Sequence, residues 1–137
     1  MRVLFDTSIV LDVLLRREPF VAEASALWAA NDTGEIFGYI NATTLTNIFY
    51  IARRHAGVEP ARAAVQICLE SFEICAVDYQ VLKRAQDLSG NDFEDNVQIA
   101  AAELAGLDGI VTRDKSGFDQ TALQVFSPGE LLMQLGK

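Results

Sequence analysis

Four aspartates stand beside segments that a parallel α/β fold would bring to one edge of its sheet. Asp6 ends an apolar run, Asp114 follows another, and Asp92 and Asp95 open an amphipathic stretch. Like charges gathered in one crevice repel one another, and a divalent cation is the usual reason that a protein tolerates them. The four carboxylates therefore predict a metal site, which is the strongest functional indication in the chain.

Each aspartate also has an ordinary structural explanation. Asp6 could cap the helix that follows it, and Asp114 could belong to the turn after a strand. Asp92 and Asp95 suit the first turn of a helix, where the macrodipole favours acids. That preference does not explain why the two stand three residues apart on one helix face, where they repel. The combination of all four favours a functional site.

Polar side chains near the aspartates are candidates for supporting roles. Thr7 and Ser8 could supply a hydroxyl group that steadies Asp6 or a bound water molecule. Asn47, next to the apolar stripe of a middle helix, could point toward the crevice. We expect a similar supporting role for Thr112, at the end of the fourth predicted strand.

Basic residues occur in two places where a phosphate could be bound. Arg53, Arg54 and His55 form the densest positive patch of the chain. The commoner role of such a patch is to complement the dipole at a solvated helix C-terminus. Arg113 and Lys115 flank the last aspartate and could offset clustered acid charge or contact a phosphate. His55 is the only histidine, which argues against a histidine-based triad or a histidine-rich zinc site.

Length and charge limit the protein to certain classes. A chain of 137 residues, half of them hydrophobic, predicts one globular domain over residues 1–137. The formal net charge of −8 argues against non-specific binding to nucleic acid, because the overall field repels polyanions. Divalent metal bound by the carboxylates would reverse the sign locally.

Cysteine content and hydropathy predict a cytoplasmic protein. Cys68 and Cys75 have no partners at zinc-ligand spacing, so we expect core thiols in a reducing compartment. Asp6 and Asp12 interrupt the apolar N-terminus, which argues against a secretory signal. No segment approaches the roughly 18 consecutive apolar residues of a membrane span, so we expect no membrane association.

Short apolar runs alternate with longer helical patterns along the chain. The predicted strands are Arg2–Phe5, Ile36–Ile40, Glu73–Val77, Gly109–Thr112 and Leu123–Phe126. The predicted helices are Ser8–Arg16, Phe20–Asn31, Thr43–Ala56, Ala61–Phe72, Tyr79–Leu88, Asp92–Ala105 and Pro128–Leu135. This alternation indicates an α/β sandwich with a five-stranded, mainly parallel sheet, whose ligands would lie beyond the carboxyl ends of the strands.

Four segments together resemble the PIN-domain family, in the family's order and spacing and over nearly the whole chain. They are Val3–Ser8, Thr44–Tyr50, Asp92–Gln98 and Ile110–Asp114. The nearest likeness is to small bacterial single-domain proteins related to VapC-like toxins of toxin–antitoxin pairs. The resemblance implies a three-layer sandwich with a parallel sheet of order 3-2-1-4-5. It also implies cleavage of RNA phosphodiester bonds with Mg²⁺ or Mn²⁺.

By position, Asp6, Asp95 and Asp114 match the family's metal-binding acids, and Asp92 matches an additional acid of this subgroup. The family usually has a glutamate where this chain has Asn47, so Asp92 is a candidate to supply the missing carboxylate. The resemblance further implies an antitoxin partner and a homodimer that would bring basic patches of two chains together.

Two alternatives remain open from the sequence. The first is a PIN-like module that binds RNA or regulates without cutting, with the amide at position 47 marking a decayed site. The second is a receiver-type phosphoacceptor domain, which also clusters acids at strand ends. In that case Asp78 would be phosphorylated and Lys115 would be its partner.

Overall fold

The computed structural model describes residues 1–137 as alternating strands and helices. The strands are β1 (Arg2–Phe5), β2 (Phe37–Asn41), β3 (Glu73–Cys75), β4 (Gly109–Val111) and β5 (Gln124–Phe126). The helices are α1 (Thr7–Leu14), α2 (Val21–Asp32), α3 (Ala42–Ala56), α4 (Val58–Ser71), α5 (Tyr79–Asp87), α6 (Phe93–Leu104) and α7 (Pro128–Gln134). A short 3₁₀ helix spans Lys115–Phe118.

All five strands are parallel and follow the order β3-β2-β1-β4-β5, which confirms the predicted sheet. This order is not that of a receiver domain, where the first strand lies between the second and the third. Asp78, moreover, follows β3 at the sheet edge and caps α5 by accepting a hydrogen bond from the Val81 amide at 3.1 Å. The phosphoacceptor alternative is therefore wrong.

Alternate residues of β1 face the two helical layers, so one strand contributes to two cores. Val3 and Phe5 belong to a cluster with α1, α2, α3, α4 and α7, whereas Leu4 packs with α5 and α6 on the other face. Phe72 joins the larger core through edge-to-face contacts with Phe5 and Trp28, with ring centroids 5.1 and 4.9 Å apart. The sheet is thus covered on both faces, as parallel sheets require.

The sheet register sets the position of the aspartates. Phe5 pairs with Val111, so the next residues, Asp6 and Thr112, leave neighbouring strands side by side at the carboxyl edge. The backbone amide of Asp6 donates to the Val111 carbonyl at 3.0 Å, which prolongs the ladder by one bond. This is the edge where ligands bind in open α/β sheets.

Most element boundaries lie within one or two residues of the predictions, with two larger differences. Helix α4 begins at Val58 rather than Ala61, because Gly57, with φ of 97°, ends α3 and starts α4 without a linker. The 3₁₀ helix was not predicted. Cys68 and Cys75 are buried and unpaired, as expected, and burial raises the pKa of their thiols to about 12 and about 11. None of the helices combines the length and hydropathy needed to span a bilayer.

Candidate active site

Asp6 is a buried carboxylate with three hydrogen bonds that fix its orientation. It occupies the position before α1 but does not cap that helix with its side chain. Instead, Oδ2 accepts from Ser8 Oγ and from Thr112 Oγ1, both at 2.8 Å, and Oδ1 accepts from Gln98 Nε2 at 2.9 Å. The capping explanation of Asp6 is therefore wrong. Three separate elements hold its carboxylate at the strand edge.

Asp92 and Asp95 lie at the start of α6 and differ in environment. Asp92 is exposed and caps the helix, its Oδ1 accepting from the Asp95 amide at 3.2 Å. Asp95 is partly buried, and its carboxylate packs against Gly117 of the 3₁₀ helix. A Cβ atom at position 117 would collide with the carboxylate, so glycine there makes room for Asp95.

Among the acids of the site, Asp95 has the pKa that departs furthest from its ordinary value. Burial, which has the largest effect, and repulsion by four neighbouring acids together raise the pKa of its carboxyl group to about 7. In decreasing order of effect these acids are Asp92, Asp6, Glu94 and Asp114. Five carboxylates therefore share one electrostatic environment, as the sequence predicted for four of them.

Asp114 is exposed and starts the 3₁₀ helix, where it makes two hydrogen bonds with Ser116. Its Oδ1 accepts from Ser116 Oγ at 2.5 Å and from the Ser116 amide at 3.1 Å. These bonds favour the ionised form and hold the pKa of Asp114 below its ordinary value. Asp114 is thus anionic and solvent-accessible, although it is also used as a cap.

The aspartates line one open groove of about 350 Å³, here called the acidic groove. Its lining residues are Asp6, Thr7, Ser8, Leu11, Arg17, Asp92, Glu94, Asp95, Arg113, Asp114 and Phe118. Their oxygens are the hard donors that Mg²⁺ and Mn²⁺ prefer, and the raised pKa of Asp95 records repulsion that a cation would relieve. As the side chains stand, no three acidic residues lie close enough together to bind one metal ion. The donor set therefore fits a hydrated ion held by few protein ligands better than a fully liganded one.

The basic residues that flank Asp114 are engaged in ion pairs. Arg113 contacts the buried carboxylate of Asp12, with Nε 2.6 Å from Oδ2, yet it still lines the acidic groove. Lys115 Nζ lies 2.9 Å from Oε1 of Glu130, an exposed pair outside that groove. Phosphate contact by either residue stays a prediction.

Arg53 and Arg54 line a second groove of about 490 Å³, here called the arginine groove. Its lining residues are Thr7, Asn47, Tyr50, Ile51, Arg53, Arg54 and Glu94. Thr7 and Glu94 belong to both grooves, so the arginine groove adjoins the acidic one. The positive patch of α3 and the carboxylates therefore form one continuous surface.

A family model for the PIN domain matches residues 2–116. The chain belongs to the PIN domain family. No curated protein sequence matches it significantly.

Several solved structures share the fold at low identity. The toxin VapC20 of Mycobacterium tuberculosis, which cleaves the sarcin–ricin loop, is 17% identical with a TM-score of 0.68, over 88% of this chain and 98% of its own. A chain of a toxin–antitoxin complex from Klebsiella pneumoniae is 22% identical with a TM-score of 0.68, over 92% and 97% of the two chains. PAE2754 of Pyrobaculum aerophilum is 22% identical with a TM-score of 0.63, over 99% and 90%.

Glu94 lines the same groove as Asn47, the position where the family resemblance led us to expect a glutamate. Although Glu94 is an exposed residue, partial desolvation of its carboxyl group is the largest cause that raises its pKa, and repulsion by Asp92 and Asp6 adds to it. The side chains of Thr7 and Asn47 act on it in the opposite direction, so both approach the carboxyl group. The sequence made Asp92 a candidate to replace the missing carboxylate, and that stays a prediction; Glu94 is a second candidate, because it shares a groove with Asn47.

Sequence reasoning missed three residues of this site, and two of them carried a usable signal. Gln98 is 1% exposed within an apolar stretch of α6, and Asp12 is fully buried in the apolar face of α1. A polar residue at a core position needs a partner, and here the partners are Asp6 and Arg113. Glu94 gave no such signal, because an acid in the first helical turn is ordinary.

Proposed function

We propose that this PIN domain is a metal-dependent ribonuclease that cleaves RNA phosphodiester bonds. One observation carries the proposal: four other carboxylates lie close enough to the partly buried Asp95 to repel it, and burial and this repulsion together raise its pKa to about 7. A fold does not need such an arrangement, whereas a divalent cation relieves it. Membership of the PIN family supports the same chemistry.

Some residues of the acidic groove would bind the metal ion, and others orient those ligands. Asp6, Asp95 and Asp114 would hold Mg²⁺ or Mn²⁺, and Glu94 and Asp92 would help directly or through bound water. Bound metal supplies an activated water molecule and neutralises the charge that develops on the phosphate. Gln98, Ser8 and Thr112 orient Asp6, and Gly117 leaves space for the Asp95 carboxylate. No covalent protein intermediate is needed.

Incubation with labelled single-stranded RNA tests the proposal. We expect cleavage with Mn²⁺ or Mg²⁺, none with a chelator, and none by Asp6→Asn or Asp95→Asn with either metal. Asp87→Asn, at an exposed position of α5, is purified in parallel so that a contaminating nuclease is recognised. Equal cleavage by all four proteins would assign the activity to a contaminant.

A second candidate function is RNA binding without cleavage. It is favoured by Asn47, an amide where the family usually has a carboxylate, and by the absence of three acidic residues close enough together to bind one metal ion. RNA that binds but stays intact at every metal concentration would select this alternative.

We further propose that the protein acts in the cytoplasm as the toxin of a toxin–antitoxin pair. Similar folds occur in VapBC complexes from Rickettsia felis and Salmonella typhimurium, with TM-scores of 0.67 and 0.70 at 14% and 16% identity. The partner would be the product of a neighbouring reading frame. Growth arrest on expression that co-expression of this neighbour relieves would support the pair. Arrest that persists would contradict it.

The same proposal includes a homodimer, which would bring Arg53 and Arg54 of two chains toward one RNA. Two free arginines per chain are a small basic surface in a protein with a net charge of −8. Light scattering at tens of micromolar tests the dimer, and a monomer mass there would contradict it.

A further inference from the structure

The outer face of α3 presents a polar and aromatic stripe to the arginine groove. Ile48 and Ala52 are buried, whereas Asn47, Tyr50 and Arg54 line the groove. The last three stand at i, i+3 and i+7, which is the spacing of one helix face. The stripe rises about 10 Å along the helix axis, starting beside Glu94 of the acidic groove.

Tyr50 is an aromatic side chain that the core does not use. It is 53% exposed, although aromatic residues are the largest contributors to cores and interfaces. Phe49 meets its ring edge-to-face, with the centroids 5.2 Å apart and the planes at 86°. The ring is therefore supported from one side while much of its surface remains accessible.

Arg53 and Arg54 have no ion-pair partner. Five other basic residues, Arg17, Arg84, Arg113, Lys115 and Lys137, are paired with carboxylates. Favourable interaction with the dipole of α3 explains basic residues in its last turn. It does not explain why an exposed tyrosine lies one turn earlier on the same face. An aromatic ring beside free arginines is the combination that binds single-stranded nucleic acid.

We propose that the arginine groove binds a nucleotide of the RNA strand beside the scissile phosphate, with Tyr50 stacking on its base. Arg53 and Arg54 bind the phosphates of that nucleotide and its neighbour. The groove joins the carboxylates through Thr7 and Glu94, so a strand bound there leads directly to them. The assignment rests on RNA being the substrate and adds the residue that positions it.

Fluorescence anisotropy with a short unstructured RNA in chelator tests the stacking, because no cleavage occurs under these conditions. Loss of one stacked base corresponds to at least about five-fold weaker binding, which we expect for Tyr50→Ala and Tyr50→Leu. Tyr50→Trp keeps a π-face and should bind at least as tightly as wild type. Tyr79→Ala is the matched control, because Tyr79 is 71% exposed on α5, which does not line the arginine groove.

The salt dependence of binding tests the phosphate contacts. For a single strand, each phosphate contact contributes a slope of about −0.7 to the logarithm of the affinity against the logarithm of salt concentration. Arg53→Ala and Arg54→Ala should each reduce the slope by about that amount. Arg62→Ala, which removes an exposed and unpaired arginine of α4, should leave it unchanged.

Two outcomes would overturn the assignment. One is equal RNA affinity of wild type and Tyr50→Ala, and the other is wild type that does not bind RNA in chelator. Neither depends on cleavage: a protein that binds through Tyr50 but never cuts would disprove the nuclease and retain the nucleotide site. If wild type cuts RNA and Tyr50→Ala has the same KM and the same RNA affinity, the nuclease is supported and the nucleotide site is disproved.

Discussion

The guanidinium of Arg113 meets a carboxylate that solvent does not reach. Its Nε lies 2.6 Å from Oδ2 of Asp12 and its Nη2 lies 3.2 Å from Oδ1, while Asp12 itself is fully buried. Arg17 binds the same carboxylate at 2.9 Å, and the ring of Phe20 lies 3.8 Å from the Arg113 guanidinium. The loop after β4, which carries Asp114, is thereby tied to α1, which follows Asp6.

Asp12→Asn should lower the free energy of unfolding by about 3 kcal/mol, the low end for loss of one partner of a buried ion pair. The low end applies because Arg113 and Arg17 keep 29% and 38% of their side chains exposed and can be partly rehydrated. Urea unfolding at neutral pH measures the change. Glu35→Gln is the control, since its pair with Lys137 is more than 40% exposed at both ends and should contribute about 0.5 kcal/mol or less. If both substitutions lower the free energy of unfolding equally, the buried ion pair contributes no more to stability than the exposed one.

Gln98→Met should loosen Asp6 while keeping the shape of the side chain. The substitution removes the Nε2 donor of a 2.9 Å bond to Asp6, and it also removes Oε1, which has no partner in the protein. Because one loss is unfavourable and the other favourable, we expect a net decrease of about 1 kcal/mol in the free energy of unfolding. The thermal stabilisation by Mn²⁺ should fall more clearly, since a mobile Asp6 binds metal less well. Gln66→Met on the exposed face of α4 should change neither quantity.

The fold was predictable from the sequence because its signals are local. Apolar runs of strand length alternate with helical patterns, and parallel strands must bring their carboxyl ends to one edge. Asp6 and Asp114 follow β1 and β4, so their proximity required only that these strands be neighbours. The missed contacts join residues far apart in the chain: Arg113 reaches Asp12, and Gln98 reaches Asp6. Composition and periodicity contain no information on such pairs.

The position of Glu94 in the site was not predicted, for a different reason. Glu94 is in the first turn of α6, where three of four consecutive residues are acidic. Such acids are usually explained by their favourable interaction with the helix dipole. Only the three-dimensional structure shows that Glu94, at the start of α6, lines the same groove as Thr7 and Asn47, whereas Asp92 uses its carboxylate to cap α6. The assignment of a substitute for the absent glutamate thus depends on three-dimensional proximity.

Moving the carboxylate between helices tests whether Glu94 replaces the family's glutamate. Glu94→Gln should weaken Mn²⁺ binding about ten-fold or more, because one anionic ligand is lost while the shape is kept. Asn47→Glu in that background should restore much of the affinity, since the two positions line the same groove. Calorimetry with Mn²⁺ measures both. Asp92→Asn provides the comparison. If it loses more Mn²⁺ affinity than Glu94→Gln, Asp92 is the residue that replaces the glutamate.

The last prediction concerns the pH dependence of stability without metal. In the folded protein the pKa of Asp95 is raised to about 7 from its ordinary 3.8, so the folded state retains a proton that the unfolded chain releases. Its contribution to stability is fully present below about pH 4 and is lost as pH rises to about 7. Asp95→Asn, which cannot ionise, should become progressively more stable than wild type over that range, whereas Asp87→Asn should not. Urea unfolding between pH 4.5 and 8 in chelator measures the free energy of unfolding of both proteins. Subtracting the two values at each pH removes the contribution of the other acids, which both proteins share. Mn²⁺ at pH 8 should stabilise wild type, because it binds only the folded state, and Asp95→Asn much less. A constant difference between the two proteins across the pH range would mean that Asp95 is an ordinary helix-start residue.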